Sequence, residues 1–230
     1  KIGDQEEERE HLIFDAEIFK DMVKQTSFAA SVDESKGVLV GVLTEIHPQS
    51  VSMVALDGYR LAVSTEKMNS GQENHFIISA KIINEISKII AEDGDAEEVE
   101  IYLGKKKATF RIDTTEIVLR LMEGEYIKYR DIMPTQSTTD IVIGRAILQE
   151  SIERASLLAR EGKNNLIKMT IKNNLLTITS RSEEGNVKEE IIMEKEGEDL
   201  EIGFNSKFVI DVLKVIDDDE ISMHFLTGTS

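Results

Sequence analysis

SAKIINEISKII at residues 79–90 and NSKFVIDVLKVI at residues 205–216 are one pattern written twice, 126 positions apart. Lysine recurs at Lys81 and Lys207 and at Lys88 and Lys214, and acid recurs at Glu85 and Asp211. Apolar side chains recur at Ile82/Phe208, Ile83/Val209, Ile86/Val212, Ile89/Val215 and Ile90/Ile216. Two lysines seven residues apart lie about 20° apart around a helix, so each copy carries a basic stripe opposite its apolar face. Upstream, FDAEIFKDMVKQTSFAA (14–30) matches IGRAILQESIERASLLA (143–159) with a shift of 129, pairing Ile18/Ile147, Phe19/Leu148, Val23/Ile152, Ser27/Ser156, Phe28/Leu157 and Ala30/Ala159. The fall from 129 to 126 puts a three-residue deletion in the loops of the second copy. Solenoid repeats run to roughly 20–50 residues, so a period this long is a domain duplication. The expectation is two tandem domains of one fold, residues 1–127 and 128–230, joined near 124–134.

Two domains of ordinary size fit a chain of 230 residues. There is no cysteine, which excludes a disulfide framework and any thiolate zinc site. No apolar run reaches the roughly 20 residues of a membrane span, so a soluble, cytoplasmic protein with no membrane partner is expected. The formal net charge is −17, from 27 basic and 44 acidic residues. Phosphate affinity comes from Lys and Arg, so a nucleic-acid partner requires the positive charge to be segregated on one face.

Periodicity and turn chemistry give strands alternating with four helices. HLIF leads into a helix at about 15–26 with Asp15 as N-cap. Strands are expected at 37–46, 51–56 and 60–64, separated by the turn sequences HPQS and DG. A strand at 75–78 leads to a helix capped by Ser79, followed by strands at 99–103, 108–112 and 117–121. The second copy reads as a strand at 140–143, a helix to about residue 160, and strands at 167–171, 175–180 and 188–194. A strand at 200–204, the fourth helix and a strand at 221–226 complete it. By the logic of the repeat, two more strands follow residues 227–230, so the second domain is expected to be incomplete. An unclosed sheet leaves unpaired edge groups.

ALDGYRLAVS (55–64) resembles the AtDGhRLA segment of the bacterial DNA sliding clamp family, the beta subunit of the replicative polymerase. IGFNSKFVIDVL (202–213) is similar to that family's IgFN..Y..D.L, and GEYIKYRDIMP (124–134) resembles its G.FPdY..(I/V)(I/L)P linker. The resemblance covers the family's middle domain and most of its C-terminal domain, without the N-terminal one. It implies an α+β fold of tandem duplicated DNA-clamp domains, each with two helices packed on antiparallel sheets. It also implies a processivity factor: a head-to-tail homodimeric ring around duplex DNA, with helices lining the hole. Contact with the duplex would be sequence-independent, because sliding is topological. The polymerase catalytic subunit, the clamp loader and repair polymerases would dock through short linear motifs.

The same resemblance implies two sets of residues. A hydrophobic pocket at the domain junction, taking a peptide with a Gln and Leu/Phe-type anchors, would comprise Leu39, Leu56, Gly58, Tyr59, Arg60, Leu61, Ile127, Ile132, Asn205 and Phe208. As a bare tetrapeptide, Asp57-Gly58-Tyr59-Arg60 is simply a hairpin turn. Facing DNA would be Lys20, Lys24, Lys36, Lys81, Lys88, Arg154, Lys207 and Lys214. Of these only Lys81/Lys207 and Lys88/Lys214 recur between copies; Lys24 aligns with Glu153, and neither Arg145 nor Arg154 repeats. The chain departs from the family pattern at Leu56 (commonly Thr), Ile127 and Lys128 (usually Pro and Asp), Asp131 (often basic) and Phe208 (Tyr). These changes make the pocket more apolar.

Catalysis is not expected. There is no Walker loop and no GxGxxG. His11, His47, His75 and His224 fall on separate elements without metal-ligand spacing. The acidic runs EEERE (6–10), DAEEVE (95–100) and DDDE (217–220) read as solvated charge at turns. No cofactor and no metal is expected. Two other classes stay open at this point: a duplicated small-ligand or enzyme scaffold with a cleft between its halves, which offers chiefly Arg60 and Asp131 as convergent titratable groups, and a protein-interaction scaffold that never contacts DNA.

Overall fold

The computed structural model describes residues 10–94, 96–159 and 165–227. The chain divides into two compact units, Lys1–Tyr129 and Arg130–Ser230. The first unit runs β1 (Glu10–Asp15), α1 (Ala16–Thr26), β2 (Gly41–His47), β3 (Ser50–Leu56) and β4 (Leu61–Lys67), then β5 (Asn74–Ser79), α2 (Ala80–Asp93), β6 (Glu98–Leu103), β7 (Lys107–Ile112) and β8 (Thr115–Arg120). Asp15 both ends β1 and starts α1. Its carboxylate accepts from the N–H of Ile18 at 3.0 Å, satisfying one of the first-turn amides that a helix leaves unpaired. Ser79 occupies the same position before α2, but its side chain makes no capping bond.

Two antiparallel sheets form, in the orders β1-β6-β7-β8 and β4-β3-β2-β5. Both helices lie against one core, α1 through Phe19, Met22 and Val23 and α2 through Ile83, Ile86 and Ile90. These spacings of three and four are the apolar stripe of an amphipathic helix. Phe19 sits edge-on between Phe14 (5.6 Å between centroids) and Phe110 (6.0 Å), tying the first helix to the first sheet.

The second unit repeats the plan with β9 (Thr139–Gly144), α3 (Arg145–Ala159), β10 (Leu166–Lys172), β11 (Leu175–Ser182), β12 (Gly185–Ile192), β13 (Glu194–Gly197), β14 (Leu200–Asn205), α4 (Ser206–Leu213) and β15 (Glu220–Phe225). Its sheets are β12-β11-β10-β14 and β13-β9-β15. Order and register both repeat between β4-β3-β2-β5 and β12-β11-β10-β14; in the other sheet the pair β9·β15 repeats β1·β6, while β13 adds to the other edge of β9. The pair Phe14↔Val99 returns as Ile143↔Ile221, and Gly41↔Ser79 returns as Leu166↔Asn205. The duplicated α+β fold predicted from the sequence is therefore present in the pairing of the equivalent strands and in helix placement.

Four expectations need correction. Residues 37–40 are not strand: Glu34–Val40 forms 3-10 turns kinked at Gly37 (φ +58), and β2 begins only at Gly41. The Asp33 carboxylate nucleates those turns by accepting from Ser35 N at 3.0 Å. Residues 188–194 are not one strand but parts of β12 and β13, which belong to different sheets. The break is at Met193, which is buried and donates its N–H to Asn174 O at 3.0 Å. Arg60 lies off the start of β4, in the turn. The fourth helix has 8 residues where α2 has 14, so Lys214 is its C-cap, though still in helical conformation. The helix end expected at Arg160, the acidic run at 6–9 and the continuation beyond 227 lie outside the described residues.

Candidate functional site

A strand with both faces buried is unusual in an antiparallel sheet, and β3 is one: Val51 to Leu56 are all buried. Val51, Met53 and Ala55 face the helices and belong to the main core. Val54 and Leu56 point the other way, into a second cluster with Leu43, Ile77 and Tyr129. Val38, Leu39, Leu61, Met122 and Tyr126 pack around it, partly buried. The first unit thus has an apolar outer face on β4-β3-β2-β5.

The second unit does not. In the first unit one cross-strand row reads Val63–Val54–Leu43–Ile77. The matching row of the second reads Lys188–Thr179–Lys168–Gly203. Two residues along, the pair Leu56↔Leu61 is answered by Arg181↔Asn186. Duplication preserved the backbone, while the outward side chains diverged to apolar in one copy and to polar in the other.

At the edge of the apolar face, the turn 57–60 is held by one carboxylate. Asp57 Oδ1 accepts from Tyr59 N (3.0 Å) and Arg60 N (3.1 Å), and Oδ2 accepts from Arg60 Nε (3.2 Å). Gly58 has φ +92, a conformation that would strain a side-chain-bearing residue. Arg60 reaches away from the patch. Its guanidinium donates to Phe28 O at 3.0 Å and stacks over the Phe28 ring at 5.4 Å. Arg60 therefore bolts the hairpin to the turn after α1, and both members of its pair with Asp57 are mostly buried. Tyr59 projects from the same turn, 83% exposed.

The other expected pocket residues take different positions. Leu39 and Leu61 are half-buried at the margin of the cluster and Leu56 is buried in it. Ile127, 42% exposed, lies in the segment following β8. In the second unit Ile132 is exposed and Phe208 half-buried. Asn205 is the N-cap of α4, its Oδ1 accepting from Lys207 N at 3.0 Å. Its place in the sequence pattern thus has a structural cause as well. Reading the sequence missed Val38, Val54, Met122, Tyr126 and Tyr129. The uninterrupted apolar runs of β3 and β5 were the available signal, since a strand covered on both faces does not alternate.

The basic residues divide by how far their charge is already engaged. Lys81, Lys207 and Lys214 are exposed and form no ion pair among the described residues. Lys36 lies exposed beside Asp33. Lys20 pairs with Glu17 (2.7 Å) and Lys88 with Glu85 (2.7 Å), one helical turn apart in each case. Such exposed pairs exchange partners at little cost. The hydrogen bond that the Lys88 ammonium donates to Glu85 holds it above its usual pKa. Lys24 is exposed on α1. Arg154 differs: it grips Glu189 of β12 with two parallel bonds of 2.9 Å, and Glu189 is held below the usual carboxylate range mainly by that contact. Arg145 donates to Asp218 O at 2.9 Å. Among the described residues no three His, Asp or Glu are grouped so as to hold a metal, and no helix is long and apolar enough to cross a membrane.

Comparison with known proteins agrees with this geometry. The family model for the DNA polymerase III beta subunit central domain matches residues 14–128, and that for its C-terminal domain matches residues 130–230. A beta sliding clamp of Staphylococcus epidermidis is 37% identical over 211 residues, covering 90% of this chain and 55% of the relative. One from Staphylococcus aureus is 35% identical over the same length. The chain thus spans about half the length of the curated relatives it matches. Among solved structures, the DNA polymerase III beta subunit of Thermotoga maritima matches with a TM-score of 0.92 at 32% identity, over 100% of this chain and 62% of that one. The sliding clamp of Bacillus subtilis matches with a TM-score of 0.92 at 32% identity, over 99% and 61%.

Proposed function

The chain belongs to the family of the DNA polymerase III beta subunit, the bacterial sliding clamp, and on that premise we propose that it is the middle and C-terminal part of a processivity factor. The whole protein would close head to tail as a homodimeric ring around duplex DNA and tether the replicative polymerase, the clamp loader and repair polymerases by their short linear motifs. The part played by this chain is non-catalytic. It binds a partner peptide and presents basic helices to the duplex, in the cytoplasm at the nucleoid.

The observation that carries the peptide reading is the one-sided apolar face. Leu39, Leu56 and Leu61 lie at an apolar cluster of the first unit, and the open space around Gly58 in the neighbouring turn would let a partner backbone approach. Burying an aliphatic and an aromatic anchor there contributes about 1.5–3 kcal/mol each. Ordering the peptide offsets part of this, so a single motif should bind at roughly micromolar affinity. Tyr59 and Ile127 would add exposed contact surface. Arg60 serves by holding the turn, a different role from the groove-lining one that the family pattern implies. Ile132, Asn205 and Phe208 are assigned to the same ligand by resemblance alone.

For the duplex, Lys81, Lys207, Lys214 and Lys36 are the cations of first resort, because their charge is uncommitted or only loosely engaged. Lys20 and Lys88 would follow by partner exchange, with Lys24 beside Lys20 on α1, and Arg154 contributes least while Glu189 holds it. Calorimetry of a synthetic peptide with a Gln followed by Leu and Phe anchors tests the reading. Leu61→Asp should abolish binding in a folded protein, and unchanged affinity would remove the peptide site.

A further inference from the structure

The segment that follows β8 does not leave the first unit directly. Met122 N donates to Ile77 O at 2.9 Å, extending the contact with β5. Its sulfur fills the space over Gly41, where a Cβ would stand 2.7 Å from Met122 Sδ and 2.5 Å from Ile77 Cγ2. The chain then turns at Gly124, φ +134, against Val38 Cγ1. The Tyr126 hydroxyl lies 3.4 Å from Gly41 O and 3.5 Å from Val54 O. Burial pushes that phenol up to about 12, against the pull of a backbone hydrogen bond at Leu56. Tyr129 is buried, donates its hydroxyl to Glu45 Oε2 at 2.7 Å, and closes a tight turn by giving its N–H to Ile127 O at 2.7 Å. Between the two tyrosines Ile127 remains 42% exposed.

We propose that residues 122–129 form a clasp that sets Ile127 in place for the partner peptide, with Tyr126 and Tyr129 as positioning residues. The proposal deepens the peptide-site reading and rests on it. The two tyrosines flank the exposed isoleucine and anchor on the sheet face that carries Leu56 and Leu61. Ile127 thereby becomes a fixed apolar wall whose ordering is completed on folding, which removes that entropy cost from binding. The matching face of the second unit has Leu166 where Gly41 stands, so the hole that receives Met122 exists in one copy only.

The experiment is a double-mutant cycle on this chain, titrated calorimetrically with the same synthetic peptide. Tyr129→Phe removes one hydroxyl and should weaken binding about fivefold, through the looser turn at Ile127. In an Ile127→Ala background the same change should cost nothing further, because the clasp acts through that side chain. Glu45→Ala removes the acceptor instead and should behave alike, which covers the case of a Tyr129→Phe protein that fails to fold. Equal losses in both backgrounds, or no loss in either, overturn the clasp. Leu61→Asp is run alongside: retained binding there sinks the peptide site itself, whereas lost binding with an unaffected Tyr129→Phe protein sinks the clasp alone.

Discussion

Replacing Arg60 by alanine should destabilise the first unit while leaving every apolar side chain of the candidate site in the sequence. The guanidinium makes a charge-assisted bond to Phe28 O, worth about 1.5–3 kcal/mol, and stacks on the Phe28 ring for about 0.5–2 kcal/mol. Its pair with Asp57 adds less than its burial suggests, because the Asp57 carboxylate keeps two backbone donors when the side chain is removed. These contributions share one side chain and do not sum, so a net loss of about 2–3 kcal/mol is expected. For a unit of this size that lowers the melting temperature by about 8–12 °C. Arg60→Lys restores the charge but neither the planar stack nor the fork, and should recover less than half. Calorimetric melts of the three proteins decide it. The deficit should persist at ~0.5 M salt, since the pair is mostly buried. A change under about 2 °C for Arg60→Ala would refute the bolt.

Further outcomes are expected. Glu100 is held below the ordinary carboxylate range first by the Tyr102 hydroxyl, Asp140 by Ser137, Glu189 by Arg154 and Asp199 by Lys195. Depressed folded-state values mean that these groups stabilise the fold above their unfolded pKa of about 4 and lose that contribution as pH falls through the folded value. Melting temperatures should therefore be flat from neutrality to about pH 5 and fall below about pH 4; a melt unchanged at about pH 3 contradicts this. Lys207→Ala/Lys214→Ala should weaken low-salt binding to duplex DNA of any sequence and flatten its salt dependence, as measured by fluorescence anisotropy, with peptide affinity untouched. Arg154→Ala should change duplex binding far less, because Glu189 already neutralises that side chain.

How much of this was legible in the sequence follows from which interactions are local. The duplication could be read because helix faces and caps depend on neighbours three or four residues away, as with Asp15 and the N–H of Ile18. The leucine patch was reached only by resemblance. Leu56 and Leu61 look like ordinary strand residues until the opposite face of β3 is seen to be buried as well. The clasp was missed because its contacts are remote in sequence: Tyr129 meets Glu45 and Tyr126 meets Gly41, 84 and 85 residues away. The commitment of Arg154 was hidden for the same reason, since Glu189 is 35 residues on and lies on a strand whose inward face was not resolvable by pattern. The 3-10 turns before β2 escaped notice because VLV at 38–40 has strand composition, while the kink is set by Gly37 alone.

Hydrogen exchange of this chain with and without the synthetic peptide tests the central claim most directly, because the two units offer the same backbone with different outward side chains. Amide exchange across residues 56–61 should slow in the complex, while residues 181–186, the topological counterpart in the second unit, should exchange as before. Equal protection of both segments, or none at 56–61 under saturating peptide, would contradict a partner site built on the apolar face of the first unit.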